Sequence, residues 1–254
     1  MELPDELILS ILSHICPNPR RAGHYPQFRI HDELVTDEYY QLRARLLRPL
    51  SMTCRAMRLR LVPWIWEHLE IPPPYDWSLG GEIFAGQFNV IAKVLNAHPL
   101  PAASVKCFLV HLRPCTGADL YPLRFMTVDL AWSRSSFPPL VKCLQSLPNL
   151  HTLKIGRVDN ANMTPLKNAL KGVKLPQIKT LIIPPTAHPL VRHCCAVEDV
   201  VCAVWDQNAS PDRFIKSLVS NRNSRVKRLA VPLVMWNDPS RKRFSTLRDH
   251  EGIR

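Results

Sequence analysis

The apolar positions of this chain change period once along its length. Near the amino terminus Leu7, Ile8, Ile11, Leu12 and Ile15 recur on one helical face, with Ser10, Ser13 and His14 on the other. Pro4 suits a first helical position, Asp5 and Glu6 oppose the positive end of the helix dipole, and Pro17 and Pro19 close the segment. Residues 17–35 carry Pro17, Pro19 and Pro26 and no clean period, and read as an inserted loop. A second helix is expected from Thr36 to about Arg48, stopped by Pro49. A third follows, with Ser51 as its cap and Leu50, Cys54, Met57 and Leu61 on one face. The stretch "WIWEHLEI" then turns extended, and the run Pro72 to Pro74 is a rigid break at which a domain boundary is placed.

Beyond that break short aliphatic strands recur. They are expected at 105–110 ("VKCFLV"), 125–130 ("FMTVDL"), 151–155 ("HTLKI"), 179–183 ("KTLII"), 198–202 ("EDVVC") and 227–231 ("KRLAV"). Several follow an apolar helix and a break, as in "PPLVKCLQSLPNLHTL", "TPLKNALKGVKLPQIKTL" and "PDRFIKSLVSNRNSRVKRL". Neighbouring centres lie about 19 to 29 residues apart, the period range of leucine-rich repeats, in which each unit supplies one strand and one helix. No asparagine ladder is visible. On this reading the middle strand position, Lys154, Ile182 or Ala230, faces the open side, and the flanking aliphatics enter the core. An ordinary α/β sheet fits the same alternation.

Composition sharpens this picture. Of 254 residues 46% are hydrophobic and 21% charged, enough for a buried core. The net charge is +12, and from Arg213 to Arg254 eleven Lys or Arg face three Asp or Glu. Such a run is either a solvated tail or an attraction for nucleic acid or an acidic protein. Eight cysteines are scattered without a CxxC pair, which fits buried free thiols in a reducing compartment, with a disulfide framework as the lesser alternative. The amino terminus begins with acids where a secretory signal carries bases, and no apolar run approaches the ~20 residues of a membrane span. Cytosol or nucleus is expected, with no membrane association.

Catalytic and cofactor motifs were sought as spacings. No phosphate loop, HExxH or GxSxG occurs. "HPLVRHCCAVEDVVC" gathers His188, His193, Cys194, Cys195 and Cys202, but the spacing matches no compact zinc module. Cys143 and His151 can be drawn as a nucleophile and base, yet the repeat pattern puts the first in a helix core and the second at a strand start. No metal, cofactor or catalytic residue is assigned, and the chain is expected not to be an enzyme.

"LPDELILSIL", followed by "LRPLSMTCRAMRLRLVPWIWEHLEI", resembles the F-box. The matches are Leu3, Pro4, Glu6, Leu7, Ile8, Ile11, Leu50, Cys54 and Arg55. Met57 stands where the family carries an aromatic residue, and the spacer after the first helix is longer than the family's. With the repeats, the chain is similar to the large F-box families of mushroom-forming fungi. The resemblance implies a mixed α/β fold: a helical F-box-like domain at 1–71 with its loop at 17–35, then a degenerate leucine-rich-repeat-like solenoid at 75–235, then a basic tail at 236–254. It implies a non-catalytic substrate receptor of a ubiquitin ligase. Leu3, Pro4, Leu7, Ile8, Ile11, Leu12, Leu50, Cys54, Arg55 and Met57 would dock on a Skp-type adaptor, and through it on a cullin. The repeats would present an unidentified protein substrate. Two alternatives stay open: helix one packs only on its neighbouring helices, or the chain is a basic nucleic-acid-binding or scaffold protein.

Overall fold

The computed structural model describes residues 4, 6–7, 10, 29–71, 80–110, 126–156, 158, 163–202, 214, 216–218 and 226–230. The chain divides into two units, Met1–His68 and Leu69–Arg254. In the first, helix α1 (Arg29–Ser51) packs on helix α2 (Arg55–Trp66). α1 begins well ahead of Thr36, so residues 29–35 are helical rather than loop. No Gly or Pro interrupts the chain between Arg29 and Arg48, and Arg, Leu and Glu are good helix formers. At its other end α1 runs two residues past Pro49.

Ser51 does not cap α2. Met52 and Thr53 N–H still donate to the Pro49 and Leu50 carbonyls (3.0 and 3.2 Å), so the backbone at Ser51 is still turning in the first helix. The cap moves to Cys54, whose extended backbone (φ −156°, ψ 165°) starts α2 and whose Sγ accepts from Met57 N–H at 3.4 Å. Sulfur is a weak acceptor, which makes this a weak cap.

The second unit carries a sheet whose strands follow chain order. β1 (His68–Ile71) begins on the last residue of the first unit, and helices α3 (Gly80–Ala97) and α4 (Pro99–Ser104) follow. Then come β2 (Cys107–Val110), α5 (Met126–Gln145), β3 (Thr152–Ile155), α6 (Met163–Leu170) and β4 (Thr180–Ile183). A 3₁₀ helix at Pro185–Arg192 leads to β5 (Asp199–Cys202), and β6 (Arg228–Ala230) closes the order. The six strands lie side by side as β1 to β6, and β2 through β6 pair in parallel. Parallel neighbours require a crossover, and here each crossover leads to the adjacent strand. The helices keep the same order: α3 packs on α5, α5 on α6, and α6 on the 3₁₀ helix.

One burial pattern generates these units. Ala102, Val105, Phe108 and Val110 are buried at spacings of three, three and two. Leu147, Leu150, Leu153 and Ile155 repeat it, as do Leu175, Ile178, Leu181 and Ile183, and Cys194, Val197, Val200 and Cys202. The first pair is closed by a turn in the last three units: Leu150 N–H donates to Leu147 C=O, Ile178 to Leu175, and Val197 to Cys194 (3.3–3.4 Å). The last pair points to one face of the strand because side chains alternate. Full burial of an aliphatic side chain of this size contributes about 1.5–3 kcal/mol.

A second pattern joins one unit to the next. The carbonyl just ahead of each strand accepts two successive amides of the following strand. Lys106 C=O accepts from His151 and Thr152, His151 from Lys179 and Thr180, Lys179 from Glu198 and Asp199, and Glu198 from Lys227 and Arg228 (2.7–3.1 Å). Side-chain amides add rungs that the sequence does not advertise. Asn149 Nδ2 donates to Ala103 C=O (2.7 Å) and Gln177 Nε2 to Leu144 C=O (3.1 Å). Both lie three residues ahead of register partners, Thr152 and Thr180. The two donors occupy equivalent positions, but their acceptors do not, Ala103 lying four residues ahead of Cys107 and Leu144 eight ahead of Thr152.

Two expectations fail. The segment 125–130 is not a strand: Met126 onward belongs to α5, which continues through Pro138 and Pro139 to Gln145. Its buried Phe137, Leu140, Val141 and Leu144 belong to a helix that packs on α3, which buries Phe88 and Leu95, and this packing outweighs the strand-like composition of "FMTVDL". The register step from Phe108 to Leu153 is consequently 45 residues, against 28 from Leu153 to Leu181, 19 on to Val200 and 29 on to Leu229. Ile182, expected on an open face, is only 6% exposed, whereas Lys154 is half-buried and Ala230 exposed. β4 is covered on both faces, while β3 and β5 alternate. No described helix is long and apolar enough to cross a membrane.

Leu153→Asp and Leu181→Asp place an unpaired charge in the shared apolar row and should abolish cooperative urea unfolding of this unit. Gln177→Ala should lower stability by about 1 kcal/mol, the size of one hydrogen bond, without changing the unfolding slope. Native-like unfolding of Leu181→Asp would show that this row is not the core.

Candidate docking surface

Among the described residues the helical unit buries a small apolar cluster. Leu47 and Leu61 form its buried pair, with Met57, Trp64 and Ile65 packed against them. The strongest link between the helices is polar. Arg43 in α1 is buried, and its Nη2 donates to Trp64 C=O (2.9 Å) and Glu67 Oε2 (2.6 Å). Its guanidinium lies over the rings of Tyr40 (4.8 Å) and Trp64 (5.6 Å), and Tyr40 stacks on His68 at 4.8 Å. Burying a charge is costly, and here a carboxylate, a carbonyl and two π faces offset the cost. Nothing in the sequence pattern singles out Arg43 from its neighbours Arg45 and Arg48, which are exposed.

With α1 and α2 fixed this way, several aliphatic side chains stand exposed among exposed arginines such as Arg45, Arg48 and Arg58. Leu42, Leu46 and Leu50 are exposed at successive fourth positions, within about 80° of the helix circumference. Met52, at 76% exposure, and Leu59 are exposed as well. Of the expected docking residues, Pro4 and Leu7 are exposed, and Leu7 N–H donates to Pro4 C=O (3.1 Å). Glu6, Leu7 and Ser10 are helical, and Leu7 is 47% exposed. Leu3, Ile8, Ile11 and Leu12 lie outside the described residues. Leu50, Cys54 and Arg55 are exposed, while Met57 turns inward against Leu47 and Leu61. Leu42, Leu46, Met52 and Leu59 are the residues that pattern reading missed. The signal was present in "QLRARLLRPL", where the leucines of one face stand four apart.

The cysteine and histidine candidates lie in the sheet unit. Cys194 and Cys202 fill the first and last positions of one buried set, and Cys143 is buried in α5. Burial pushes the Cys143 and Cys202 thiols up to about 12, and raises Cys194 further, with Cys195 adding to the effect. These thiols are held protonated at neutral pH, the less nucleophilic form. His193 Nδ1 lies 2.8 Å from Val173 C=O and His188 Nδ1 3.2 Å from Pro185 C=O, so both rings are engaged with backbone. Among the described residues no three His, Cys, Asp or Glu side chains gather in a way that could hold a metal. Cys54, expected among buried thiols, is exposed because it caps a helix instead of packing beneath one.

Arg43→Ala should cost about 1.5–3 kcal/mol, since Trp64 C=O and the half-buried Glu67 carboxylate lose their charged donor, measured by thermal unfolding. Iodoacetamide at pH 8 should modify Cys54 in the native chain and leave Cys143, Cys194 and Cys202 intact, by peptide mass mapping. Comparison with protein-family models, with curated proteins and with solved structures finds no match for this chain.

Proposed function

We propose that this chain is the substrate-receiving subunit of a ubiquitin ligase of the Skp–cullin–F-box type, and is not itself catalytic. The observation that carries this reading is the exposed aliphatic stripe Leu42, Leu46 and Leu50, with Leu7, Met52 and Leu59 also exposed, in the part of the chain that bears the F-box-like residues. Covering exposed aliphatic side chains is favourable. Fully burying six of this size is worth at most roughly 9–18 kcal/mol gross. Association costs about 4–15 kcal/mol, so several of these residues must act together. In this reading the sheet unit is a degenerate leucine-rich-repeat-like solenoid that presents the substrate. In-order parallel strands and the recurring three-three-two burial set support it. An adaptor and cullin of this kind operate in the cytosol or nucleus, which is the location proposed here.

The test is co-purification of a Skp-type adaptor with the full chain, with Leu46→Asp/Leu50→Asp and with Ile8→Asp/Ile11→Asp. Charges in a desolvated interface should abolish a micromolar complex, worth about 8 kcal/mol. An adaptor that binds both double variants as it binds the wild type would remove the F-box reading. Binding of nucleic acid with a steep salt dependence and no adaptor would favour the basic-protein alternative.

A further inference from the structure

We propose that the open edge of β6 is a docking site for an extended acidic–aliphatic segment of a partner protein, which adds to the sheet as a further parallel strand. The proposal rests on sheet geometry and charge, independently of the ligase reading.

The hydrogen-bond series described above ends with a vacancy. Lys106, His151, Lys179 and Glu198 each offer a pre-strand carbonyl that two amides of the next strand occupy. Lys227 is the next member of that series, and no described residue donates to its carbonyl. Arg228 N–H is turned toward β5, where it meets Glu198 C=O at 3.1 Å. Backbone alternation in a parallel strand then turns the Leu229 N–H and C=O outward, to the free edge. An edge of this kind is a template for another strand.

Charge states what that strand should carry. β5 opens with Glu198 and Asp199, and β6 answers them residue for residue. Lys227 Nζ meets Glu198 Oε2 at 2.8 Å, and Arg228 grips Asp199 through two N–H groups. The hydrogen bond from Lys227 holds the Glu198 carboxyl below the usual carboxylate range. Both cations keep donors in reserve: an ammonium has three and a guanidinium five. Their side chains remain 66% and 69% exposed. A strand beginning with two acids would continue the alternation of sign from β5 through β6. Its third residue would extend the buried row Phe108, Leu153, Leu181, Val200, with Leu229 now half-buried as the last member. The recognised segment is therefore two acids followed by aliphatic residues at alternate positions.

The occupant is a partner peptide on two grounds. The chain that follows β6 contains Pro232, no pair of adjacent acids, and Arg241, Lys242 and Arg243, which would set like charges beside Lys227 and Arg228. A nucleic acid can supply anions but has no backbone amides for the Lys227 carbonyl.

The test uses the full chain and a fluorescein-labelled probe peptide, Glu-Asp-Val-Val-Val, followed by anisotropy, with amide exchange at Leu229 as a second readout. The peptide should bind and should slow exchange of the Leu229 amide, which exchanges fast in its absence. The same peptide N-methylated at both acidic residues should not bind, and neither should Lys-Arg-Val-Val-Val. Lys227→Gln/Arg228→Gln should weaken the acidic peptide by roughly threefold to tenfold, the range that two exposed ion pairs supply. Equal binding of the N-methylated peptide would overturn strand addition, and equal binding of the basic peptide would overturn the charge rule. A Leu229 amide already protected in the free chain would show the edge occupied by the chain itself or a second copy. A single-stranded oligonucleotide that displaces the peptide, and binds as tightly, would reduce the edge to a general anion patch. Either of these last results also overturns the proposal.

Discussion

A strand of three or four residues cannot stand alone, and none of the strands among the described residues is longer. What makes such strands possible is that each one is hydrogen-bonded to the next in chain order, starting at a carbonyl that two amides share. The rest of the second unit follows from that constraint. Each unit must bury its own four apolar side chains beneath the strand, so the spacing of three, three and two recurs even where the helix between strands shrinks to a 3₁₀ turn. The length between strands varies from 19 to 45 residues because crossover length does not enter the strand-to-strand bonding.

The same constraint explains the edge at β6. A stack in which every strand is satisfied by its successor leaves the final one with acceptors and donors in hand. At that edge the charge alternation Glu198–Lys227 and Asp199–Arg228 adds sign to an otherwise uniform backbone surface. Both features concern what lies next to the sheet rather than its stability.

The helical unit works on another principle. Among the described residues Leu47 and Leu61 are its buried apolar pair, and the buried Arg43 bonds the first helix to the end of the second. A guanidinium is planar and reaches a carbonyl, a carboxylate and two ring faces at once, which a lysine cannot do. Because Arg43 ties α1 to the end of α2, the leucines at 42, 46 and 50 are held outward on a defined surface. A helix pair joined by apolar packing alone would have needed those leucines inside.

Much of the sheet was legible in the sequence. Leu153, Leu181, Val200 and Leu229 sit in short aliphatic runs that open on polar residues, and such runs are a local property, so five of the six expected strands appear at the expected places. Tertiary contact decided the rest. The segment 125–130 has strand-like composition, yet α5 lies along α3 and the helix runs through it. Cys194 and Cys202 stand in a stretch rich in His and Cys whose role the sequence leaves open, and they are core side chains once the three-three-two set is seen across units. Asn149 and Gln177 become equivalent only when Thr152 and Thr180 are register partners. Arg43 differs from Arg45 and Arg48 only because Trp64 and Glu67 come to lie against it. Periodicity is written along the chain, and the sequence alone determined it. Partnership between residues distant in the chain depends on which elements pack together, and only the tertiary structure decided that.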